Sequence, residues 1–497
     1  MALRYPVPPI VQGPAANPAP RPKRRAEGWI RITVPGVMIC FMLCMFGKAF
    51  VGDTFVLRTS SMEPTIVGRR AGGDRVILSR LHTLLREPDR WEILLFRYPN
   101  NVRTHYMKRL VGLPGEQIFI RGGDLYRTDA TWSGTLNDGL RLGRVAILRK
   151  PARVRDSLVA LLPVIAEEEL EDFDAELFRR HCEVVTGGEE SWSTRDDHVV
   201  VEAGDLCLVR LRREARDLLF DVLGDPDRRT APKSVGGGKY QCGDLSLRLE
   251  ARPEKGTGCV VVEIDDQLAG RRLRAEIAVE GGRGRTTLSI DDVVIARSDV
   301  RLDADSWTDI GFANVDDRVR LLIDGDEVLV RDYGHATVET EAEEKAPASR
   351  VRFGARDGTV ALRPISLHRD LYYVAEGQTR FLVPDGHLLF LGDNSASSAD
   401  ARSWKRVAVR VVETGEVLHG DVQGVTPTSI LLHDGNPWQE PDGTWTFADL
   451  VGNLHKFEEQ TEWRRIGTWP TPYVRRDWVL GRGMCVLSPI SRFSWLR

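Results

Sequence analysis

The sequence lacks the patterns that mark most metal-binding and nucleic-acid-binding proteins. Its 497 residues include only seven cysteines, and none of them forms a CxxC pair or another spacing typical of metal ligands. The formal net charge is -3, so no excess of basic residues indicates a nucleic-acid partner. There is no internal repeat and no second long apolar run. We therefore expect no metal, no cofactor and no nucleic acid, and at most one passage through a membrane.

The cysteines leave disulfide formation open. Cys40 and Cys44 lie inside the one strongly apolar segment, and the others are scattered along the chain. Because the scattered cysteines are odd in number, at least one of them is unpaired within the chain. One or two disulfides fit the count if this part of the protein faces an oxidising compartment. The scattered cysteines are Cys182, Cys207, Cys242, Cys259 and Cys485.

The apolar segment follows a proline-rich beginning. Residues 1–27 contain many prolines and end in a basic cluster, which predicts a disordered cytoplasmic tail. Ile32 to Gly47 carry no charged residue, and with the flanking aromatic and basic side chains residues 28–50 are long enough for a transmembrane anchor. The positive-inside rule places the N-terminus in the cytoplasm and the rest of the chain outside. The alternative is a cleavable signal peptide, because Gly47-Lys48-Ala49 has small residues at the right offsets.

Beyond this segment the pattern is that of a mainly β protein with insertions. Short strand-like runs form a first part of the core at residues 51–128, and regularly spaced alternating strands with hairpin signals fill residues 241–372. The second pattern predicts an inserted antiparallel β-sandwich of the jelly-roll kind. Its Asp-rich turns suit calcium or, the interpretation we prefer, tight turns. The other predicted segments are a mixed α/β insertion at 129–240, a second core part at 373–406, a second insertion at 407–473 and a C-terminal core strand at 474–497.

Three short motifs stand out from this background. The first, Ser61-Met62-Glu63-Pro64-Thr65, holds a serine near a proline that biases Glu63 toward extended backbone, a geometry that presents the hydroxyl. The second, Tyr106–Glu116, places Lys108 in an apolar strand followed by a Gly-x-Pro-Gly turn. The third, Gly392–Arg402, is rich in small, polar and charged residues. Taken singly, each motif also fits an ordinary surface turn or a solvated strand end.

In this order, and after an apolar anchor, the motifs resemble those of the bacterial type I signal peptidases. The family patterns S-M-x-P-T, Y-x-K-R-x-x-G-x-P-G-D and G-D-N-x-x-x-S-x-D-x-R match them, with Glu116 in place of the last Asp of the second pattern. Ser395, Ala396 and Ala401 depart from the residues that the family often has at supporting positions. The resemblance covers roughly residues 28–128, 374–406 and 474–497. The sandwich between them resembles laminin-G and concanavalin-like jelly rolls.

The resemblance implies a serine protease with a Ser–Lys dyad. Ser61 would be the nucleophile, and Lys108 would be its general base, which works only when neutral; burial among apolar side chains favours that state. Ser398 would orient the lysine amine. The other implied roles are an oxyanion hole from the Ser61 N–H and the Thr59 hydroxyl, structural support from Asp393, Asn394, Asp400 and Arg402, and a substrate groove at Met62 and Pro64.

We therefore predict a membrane-anchored serine endopeptidase that removes signal peptides from exported proteins at the outer, periplasmic face of a bacterial cytoplasmic membrane. The predicted partners are signal-peptide-bearing precursors, membrane lipid and an unidentified ligand of the sandwich. One alternative is a catalytically silent, membrane-anchored protein whose sandwich binds a glycan or a protein. Another is a Ser–Lys autoprotease of the repressor type, which the apolar anchor and the lack of a DNA-binding helix pair disfavour.

Overall fold

The structure, a computed structural model, is built mainly from antiparallel β-strands, as the sequence pattern predicts. The chain divides into two units, Met1–Gly52 and Asp53–Arg497. The structure describes residues 33–42, 45, 53–68, 73–151, 160–162, 182–195, 198–212, 240–254, 256–334, 349–375, 377–425, 432–433 and 435–496.

The first unit contains the predicted anchor, which is only partly described. Residues 33–42 and 45 are helical, and their side chains are exposed. In the described part of the chain, no helix is both long enough and apolar enough to cross a membrane. The predicted tail at 1–27 and both ends of the predicted anchor at 28–50 lie outside the described residues.

The described strands of the second unit fall into three groups along the chain. The first group is β1 (Asp53–Val56), β2 (Arg75–Ser79), β3 (Ile93–Tyr98), β4 (Asn101–Gly112), β5 (Glu116–Arg121), β6 (Asp124–Asp129), β7 (Ala146–Ile147), β8 (Ala160–Leu162), β9 (Cys182–Thr186), β10 (Trp192–Arg195) and β11 (His198–Leu211). The second group is β12 (Leu245–Pro253), β13 (Cys259–Asp266), β14 (Arg271–Ala278), β15 (Thr286–Ile290), β16 (Val293–Ser298), β17 (Thr308–Val315), β18 (Arg318–Ile323), β19 (Asp326–Asp332) and β20 (Arg350–Arg369).

Most strands in the last part of the chain are shorter. The described helices of the second unit are also short. The strands are β21 (Arg380–Leu382), β22 (His387–Leu391), β23 (Lys405–Val411), β24 (Val417–Asp421), β25 (Gly424–Val425), β26 (Leu432–His433), β27 (Trp438–Gln439), β28 (Trp445–Ala448), β29 (Leu454–Phe457), β30 (Trp463–Pro470), β31 (Tyr473–Arg475), β32 (Val479–Ser488) and β33 (Ser494–Trp495). The α-helices described in this unit are Arg80–Leu85 and Leu136–Arg141, and the 3₁₀ helices are Ser60–Met62, Glu189–Ser191, Ser395–Ser397, Arg476–Trp478 and Ile490–Arg492.

The sheet that carries the motifs joins distant parts of the sequence. Within the described residues its order is β1-β2-β32-β3-β4-β22-β31, with β33 beside β32. Side chains alternate between the two faces of a strand, so successive residues of β3 pack in different apolar cores. Leu94 and Phe96 belong to one core, and Ile93 and Leu95 belong to the other. The strand β4 carries the lysine motif, and its neighbour β22 leads into Gly392–Arg402. Strand pairing therefore brings the second and third motifs together.

A smaller sheet continues this core. Its order is β21-β5-β6-β7, so the chain from 116 to 147 pairs with a strand at 380–382. The strand β7 lies within the segment predicted as an insertion at 129–240, yet it pairs with β6 of the core.

The predicted sandwich is present and is larger than residues 241–372. The main path of its sheet is β16-β15-β14-β13-β20-β12-β17-β18-β19, and alternate residues of β12, β13 and β14 fill one apolar core. The strand β20 is 20 residues long and therefore also pairs with β11 and β8. The strands β9 and β10 pair with β11 and therefore belong to the same sheet. Residues 160–162 and 182–211, which lie in the segment predicted as a mixed α/β insertion at 129–240, thus contribute strands to the sheet of the sandwich.

The segment between 405 and 470, which overlaps the second insertion predicted at 407–473, consists of short β-strands where the structure describes it. Its largest described sheet is β24-β23-β30, and β27-β28-β29 form another. A small core of its own contains Val407, Val409, Val411, Leu418 and Phe447.

The described cysteines form no disulfides. All six of them are free thiols, namely Cys40, Cys182, Cys207, Cys242, Cys259 and Cys485. Cys44 lies outside the described residues.

Candidate active site

Ser61 lies in a single 3₁₀ turn, Ser60–Met62, between two extended residues. Glu63 has φ -68° and ψ 146°, the extended backbone that a following proline favours. The turn is closed by the Glu63 N–H, which donates to the Ser60 carbonyl at 3.0 Å. The Ser61 side chain is 6% exposed, and its Oγ lies 3.2 Å from the hydroxyl of the exposed Thr59.

The turn is fixed from below by Met62. This side chain is completely buried, and it packs in an apolar cluster with Leu57, Ile66 and Met107. The substrate-groove role predicted for Met62 does not fit this place in the core, where the apolar side chain is removed from water. Pro64, the other predicted groove residue, is half-buried and keeps part of its ring at the surface.

Lys108 is held by β4 in an apolar environment, as its neighbours in the sequence predict. Its side chain is 3% exposed, and Met107, Leu110 and Val111 are all buried. The Lys108 Nζ donates a hydrogen bond of 3.0 Å to the Ser398 Oγ. The pKa of Lys108 is lowered to about 8, mainly by burial and also by the nearby Arg402 guanidinium, whereas the Asp400 and Asp393 carboxylates oppose the shift.

Asn394 of the third motif forms hydrogen bonds with the turn that carries Ser61. The Asn394 N–H donates to the Ser61 carbonyl at 3.2 Å, and the Asn394 Nδ2 donates to the Ser60 carbonyl at 3.1 Å. A Cβ atom added to Gly392 would lie 2.1 Å from the Ser398 Oγ and 2.5 Å from the Ser61 carbonyl oxygen. Only glycine fits there, because the Ser398 hydroxyl and the Ser61 carbonyl both lie against Gly392. The Ser398 hydroxyl is the one that contacts Lys108.

Ser61 and Lys108 do not share a hydrogen bond in this structure. Among the described residues, the Ser61 Oγ contacts Thr59 and the Lys108 amine contacts Ser398. The turn Ser60–Met62 nevertheless packs against β4 and against the short helix Ser395–Ser397. Catalytic hydrogen bonds are often long without substrate and tighten in the reacting complex.

Asp393 joins the first and second motifs. Its carboxylate accepts two hydrogen bonds of 2.7 Å from the Arg109 guanidinium and one of 2.6 Å from the Thr65 hydroxyl. Arg109 is completely buried, and its Nη1 donates to the Trp91 carbonyl at 2.7 Å. Sequence reasoning assigned no role to Arg109, although its place directly after Lys108 in the second motif is a signal that could have pointed to it.

Asp400 and Arg402 form a buried ion pair that shapes the loop of Ser398. The Arg402 Nε and Nη2 donate to the two Asp400 oxygens at 2.8 and 2.7 Å, and the Gly392 N–H donates to Asp400 at 2.9 Å. Burial raises the pKa of Asp400, but the Arg402 charge and hydrogen bonds outweigh it, so the net pKa is lowered. The Ser395 hydroxyl accepts a hydrogen bond of 2.7 Å from Arg402, so this departure from the family pattern has a supporting contact.

Asp74 is a further supporting residue, and its partner gives no sequence signal. The Asp74 carboxylate accepts from the Val67 N–H at 2.8 Å and from the Arg492 Nε at 3.1 Å. The Arg492 Nη2 also donates to the Pro64 carbonyl at 3.4 Å. The end of the chain thus contacts the loop that follows Ser61.

Outside the three motifs, one group of described carboxylates is close enough to surround a metal ion. Oxygen atoms of Asp124, Asp244 and Asp316 lie within 4.8 Å of one another. The Lys150 Nζ already supplies positive charge there, 3.0 Å from Asp316 and 2.6 Å from Asp370. Lys150 thus forms ion pairs with Asp316 of this group and with the neighbouring Asp370.

Residues 28–143 match the family model described as signal peptidase, peptidase S26. The probable signal peptidase I-2 of Synechocystis sp. is 32% identical over 84 residues, which are 16% of this chain and 37% of that protein. Signal peptidase I of Rickettsia rickettsii is 41% identical over 108 residues, which are 18% of this chain and 40% of that protein. The chain thus spans about two fifths of the length of these relatives. The resemblance to type I signal peptidases is confirmed for this segment, which includes Ser61 and Lys108 but not Ser398.

Solved structures similar to part of this chain include a carbohydrate-binding module and a β-glucanase. A carbohydrate-binding module from Bacillus subtilis is 10% identical, with a TM-score of 0.25, over 38% of this chain and 94% of the module. A β-glucanase from Bacillus licheniformis is 9% identical, with a TM-score of 0.26, over 43% of this chain and 98% of that enzyme. Likenesses this low carry no conclusion about function.

Proposed function

We propose that the chain is a signal peptidase that cleaves peptide bonds with Ser61 as nucleophile and Lys108 as general base. The observation that carries the proposal is the buried Lys108 amine, which donates to Ser398 beside the turn of Ser61 and has its pKa lowered to about 8. An amine with this pKa is partly neutral near physiological pH, and only a neutral amine can accept the serine proton.

In the proposed reaction the Ser61 Oγ attacks the carbonyl carbon of the scissile bond, and its proton passes to the Lys108 Nζ. The tetrahedral intermediate collapses with cleavage of the C–N bond, and the departing amine takes that proton. Water then attacks the acyl ester and gives a proton to Lys108. When the ester breaks, this proton returns to the Ser61 oxygen. Ser398 keeps the amine oriented during both halves of the reaction.

The oxyanion of each intermediate would be met by the Ser61 N–H and the Thr59 hydroxyl. Thr59 is exposed, and its hydroxyl already lies 3.2 Å from the Ser61 Oγ. A donor of this kind contributes roughly 3 kcal/mol to stabilising the transition state. Turning the Thr59 hydroxyl from the Ser61 Oγ to the developing negative charge requires only a side-chain rotation.

The pH dependence of cleavage follows from the lysine. Because the reactive form is the neutral amine, kcat/KM should rise about tenfold per pH unit below the pKa of about 8 and level off above it. Initial rates on a short peptide between pH 6 and pH 10 would measure this, with circular dichroism at each pH as a control for folding. A rate independent of pH over that range, in a folded protein, would contradict a lysine base.

The substrates we propose are precursor proteins with an N-terminal signal peptide, cut after small residues. The test is to incubate the purified full chain with such a precursor and to identify the new N-terminus by mass spectrometry. Cleavage at the signal-peptide boundary that disappears in Ser61→Ala is the expected result. An intact precursor after incubation with the folded wild-type protein would contradict the function.

We further propose that residues 28–50 anchor the protein in the cytoplasmic membrane, with the N-terminus inside and the peptidase on the outer face. The support is the uncharged run from Ile32 to Gly47 and the preceding basic cluster. The full chain expressed in bacteria should sediment with membranes and resist extraction by carbonate. A protein in the soluble fraction whose N-terminus begins after Ala49 would instead identify a cleaved signal peptide.

A further inference from the structure

The sandwich is joined to the candidate active site by a short buried segment. The strand β20 ends at Arg369, and the chain then runs through Asp370 to Val374 before the core resumes. Each of the residues from 370 to 374 is buried. Because all five residues of this short segment are buried, we expect a displacement at the end of β20 to displace Val374 as well.

Val374 touches the loop that carries Ser398 with both of its backbone groups. Its N–H donates to the Ser395 Oγ at 2.8 Å, and its carbonyl accepts from the Arg402 Nη1 at 2.9 Å. Arg402 in turn holds Asp400, which accepts from the Gly392 N–H. The position of Val374 is thus part of what fixes the Gly392–Arg402 loop.

Lys150 fixes the other end of this segment. Its Nζ lies 2.6 Å from Asp370 Oδ2 and 3.0 Å from Asp316 Oδ1, which lies in the turn between β17 and β18 of the sandwich. Lys150 itself follows β7, a strand that pairs with the core. Its ammonium group also lies 5.6 Å from the centre of the Trp91 ring. Trp91 accepts from Arg109, the neighbour of Lys108.

The charge around Lys150 explains why a cation is needed at this point. Oxygens of Asp124, Asp244 and Asp316 come within 4.8 Å of one another, and Asp370 Oδ2 lies 2.6 Å from the amine. Burial and the neighbouring carboxylates raise the pKa of Asp124 and of Asp244 well above the usual range. Lys150 pairs with Asp316 and Asp370, so its loss removes the cation that these two buried carboxyl groups contact.

From these contacts we infer that Lys150 and Asp370 are positioning residues for the Ser398 loop, and that the sandwich is a supporting part of the peptidase. The inference rests on the proposed function for its kinetic consequence only. Lys150 acts along two routes, one through Asp370 and Val374 to Arg402, and one through Trp91 and Arg109 to the strand of Lys108. The structure includes the sandwich and the core in one unit, Asp53–Arg497.

The test compares Lys150→Met and Asp370→Asn with Lys150→Arg and with Arg248→Met in the full chain. Arg248 is the matched control, because it forms an exposed ion pair of 2.9 Å with Asp309 on the same sandwich. We expect Lys150→Met and Asp370→Asn to lower kcat about tenfold to a hundredfold with KM changed less than about twofold, since a displaced loop misorients the base. Lys150→Arg should restore most of kcat, and Arg248→Met should match the wild type.

Amide hydrogen exchange of residues 392–402 gives a second readout that does not depend on catalysis. It should speed up about tenfold in Lys150→Met and Asp370→Asn and stay unchanged in Arg248→Met. If Lys150→Met fails to fold, the isosteric Asp370→Asn carries the comparison. Wild-type exchange of 392–402 in folded Asp370→Asn, or an equal effect of Arg248→Met, would overturn the inference. A wild-type protein that cleaves nothing would refute the proposed function, and the exchange data would still decide whether Lys150 and Asp370 position the loop.

Discussion

Replacing Ser61 by alanine is expected to reduce peptide cleavage on the order of 10⁵- to 10⁶-fold, because the hydroxyl that forms the acyl intermediate is gone. The fold should be unaffected. The hydrogen bond that the Ser61 Oγ makes in the described structure goes to the exposed Thr59, so its loss removes a single part-buried contact. The measurement is kcat/KM on a short signal-peptide-like substrate, with thermal unfolding of both proteins as the check on folding.

Ser60→Ala is the matched control for this substitution. Ser60 is the preceding residue of the same turn, and its hydroxyl lies 3.3 Å from the Ser397 Oγ. We expect less than about a tenfold effect on kcat/KM, as for an ordinary surface hydrogen bond. If Ser60→Ala and Ser61→Ala lose activity equally, the nucleophile has been assigned to the wrong residue or the turn as a whole has collapsed.

The Lys108→Met variant is expected to lose activity on the order of 10⁴-fold or more, since no base remains to take the serine proton. Methionine keeps the length and the apolar part of the side chain. The residual rate, if measurable, should also lose the rise with pH, because the titrating amine is absent. A variant with more than about a tenth of the wild-type rate would remove Lys108 from the mechanism.

The same variant should be more stable than the wild type. Burial lowers the pKa of Lys108 from 10.5 to about 8, so the folded state binds its proton more weakly than the unfolded chain does. This destabilises the wild type by about 3 kcal/mol below about pH 8, and the penalty fades as the pH rises toward 10.5. The lost hydrogen bond to Ser398 offsets about 1 kcal/mol of this gain. The free energy of unfolding of Lys108→Met should therefore be about 2 kcal/mol higher than that of the wild type near pH 7. Urea unfolding at pH 7 should show that Lys108→Met is more stable than the wild type. The same measurement at pH 10 should show that this gain in stability has disappeared.

Loss of activity together with a gain in stability separates a functional role from a structural one. A lysine that merely supported the fold would destabilise the protein when replaced. An outcome in which Lys108→Met is inactive and also less stable at pH 7 would therefore indicate that the loss of activity follows from misfolding.

The three motifs and the alternating strands were readable from the sequence because they depend on local chemistry. The spacing around Ser61 and the apolar neighbours of Lys108 predicted a presented hydroxyl and a buried amine, and the structure has Glu63 extended and Lys108 3% exposed. The hairpin signals between 241 and 372 predicted antiparallel strands, since turn residues and period-two alternation act within a few residues.

The extent of the sandwich and the identity of the supporting residues could not be predicted in this way. The strand β20 pairs with β11 across 150 or so residues of sequence, and pairings of that range leave no local pattern. Met62 illustrates the same limit. Its type suits a surface groove or a core equally well, and only the packing of Leu57, Ile66 and Met107 around it decides for the core.

The sequence by itself determined which residues carry reactive groups and in which order they occur, because these are properties of single side chains and short spacings. The tertiary structure decided which groups meet. The pairing of β4 with β22 brings Lys108 to Ser398, which follows it by 290 residues, and it brings Arg109 to Asp393. The tertiary structure also brings Lys150 to Asp316 of the sandwich and to Asp370 of the connecting segment. Such contacts form only when distant strands close into one sheet, so the burial that lowers the pKa of Lys108 exists in the folded protein alone.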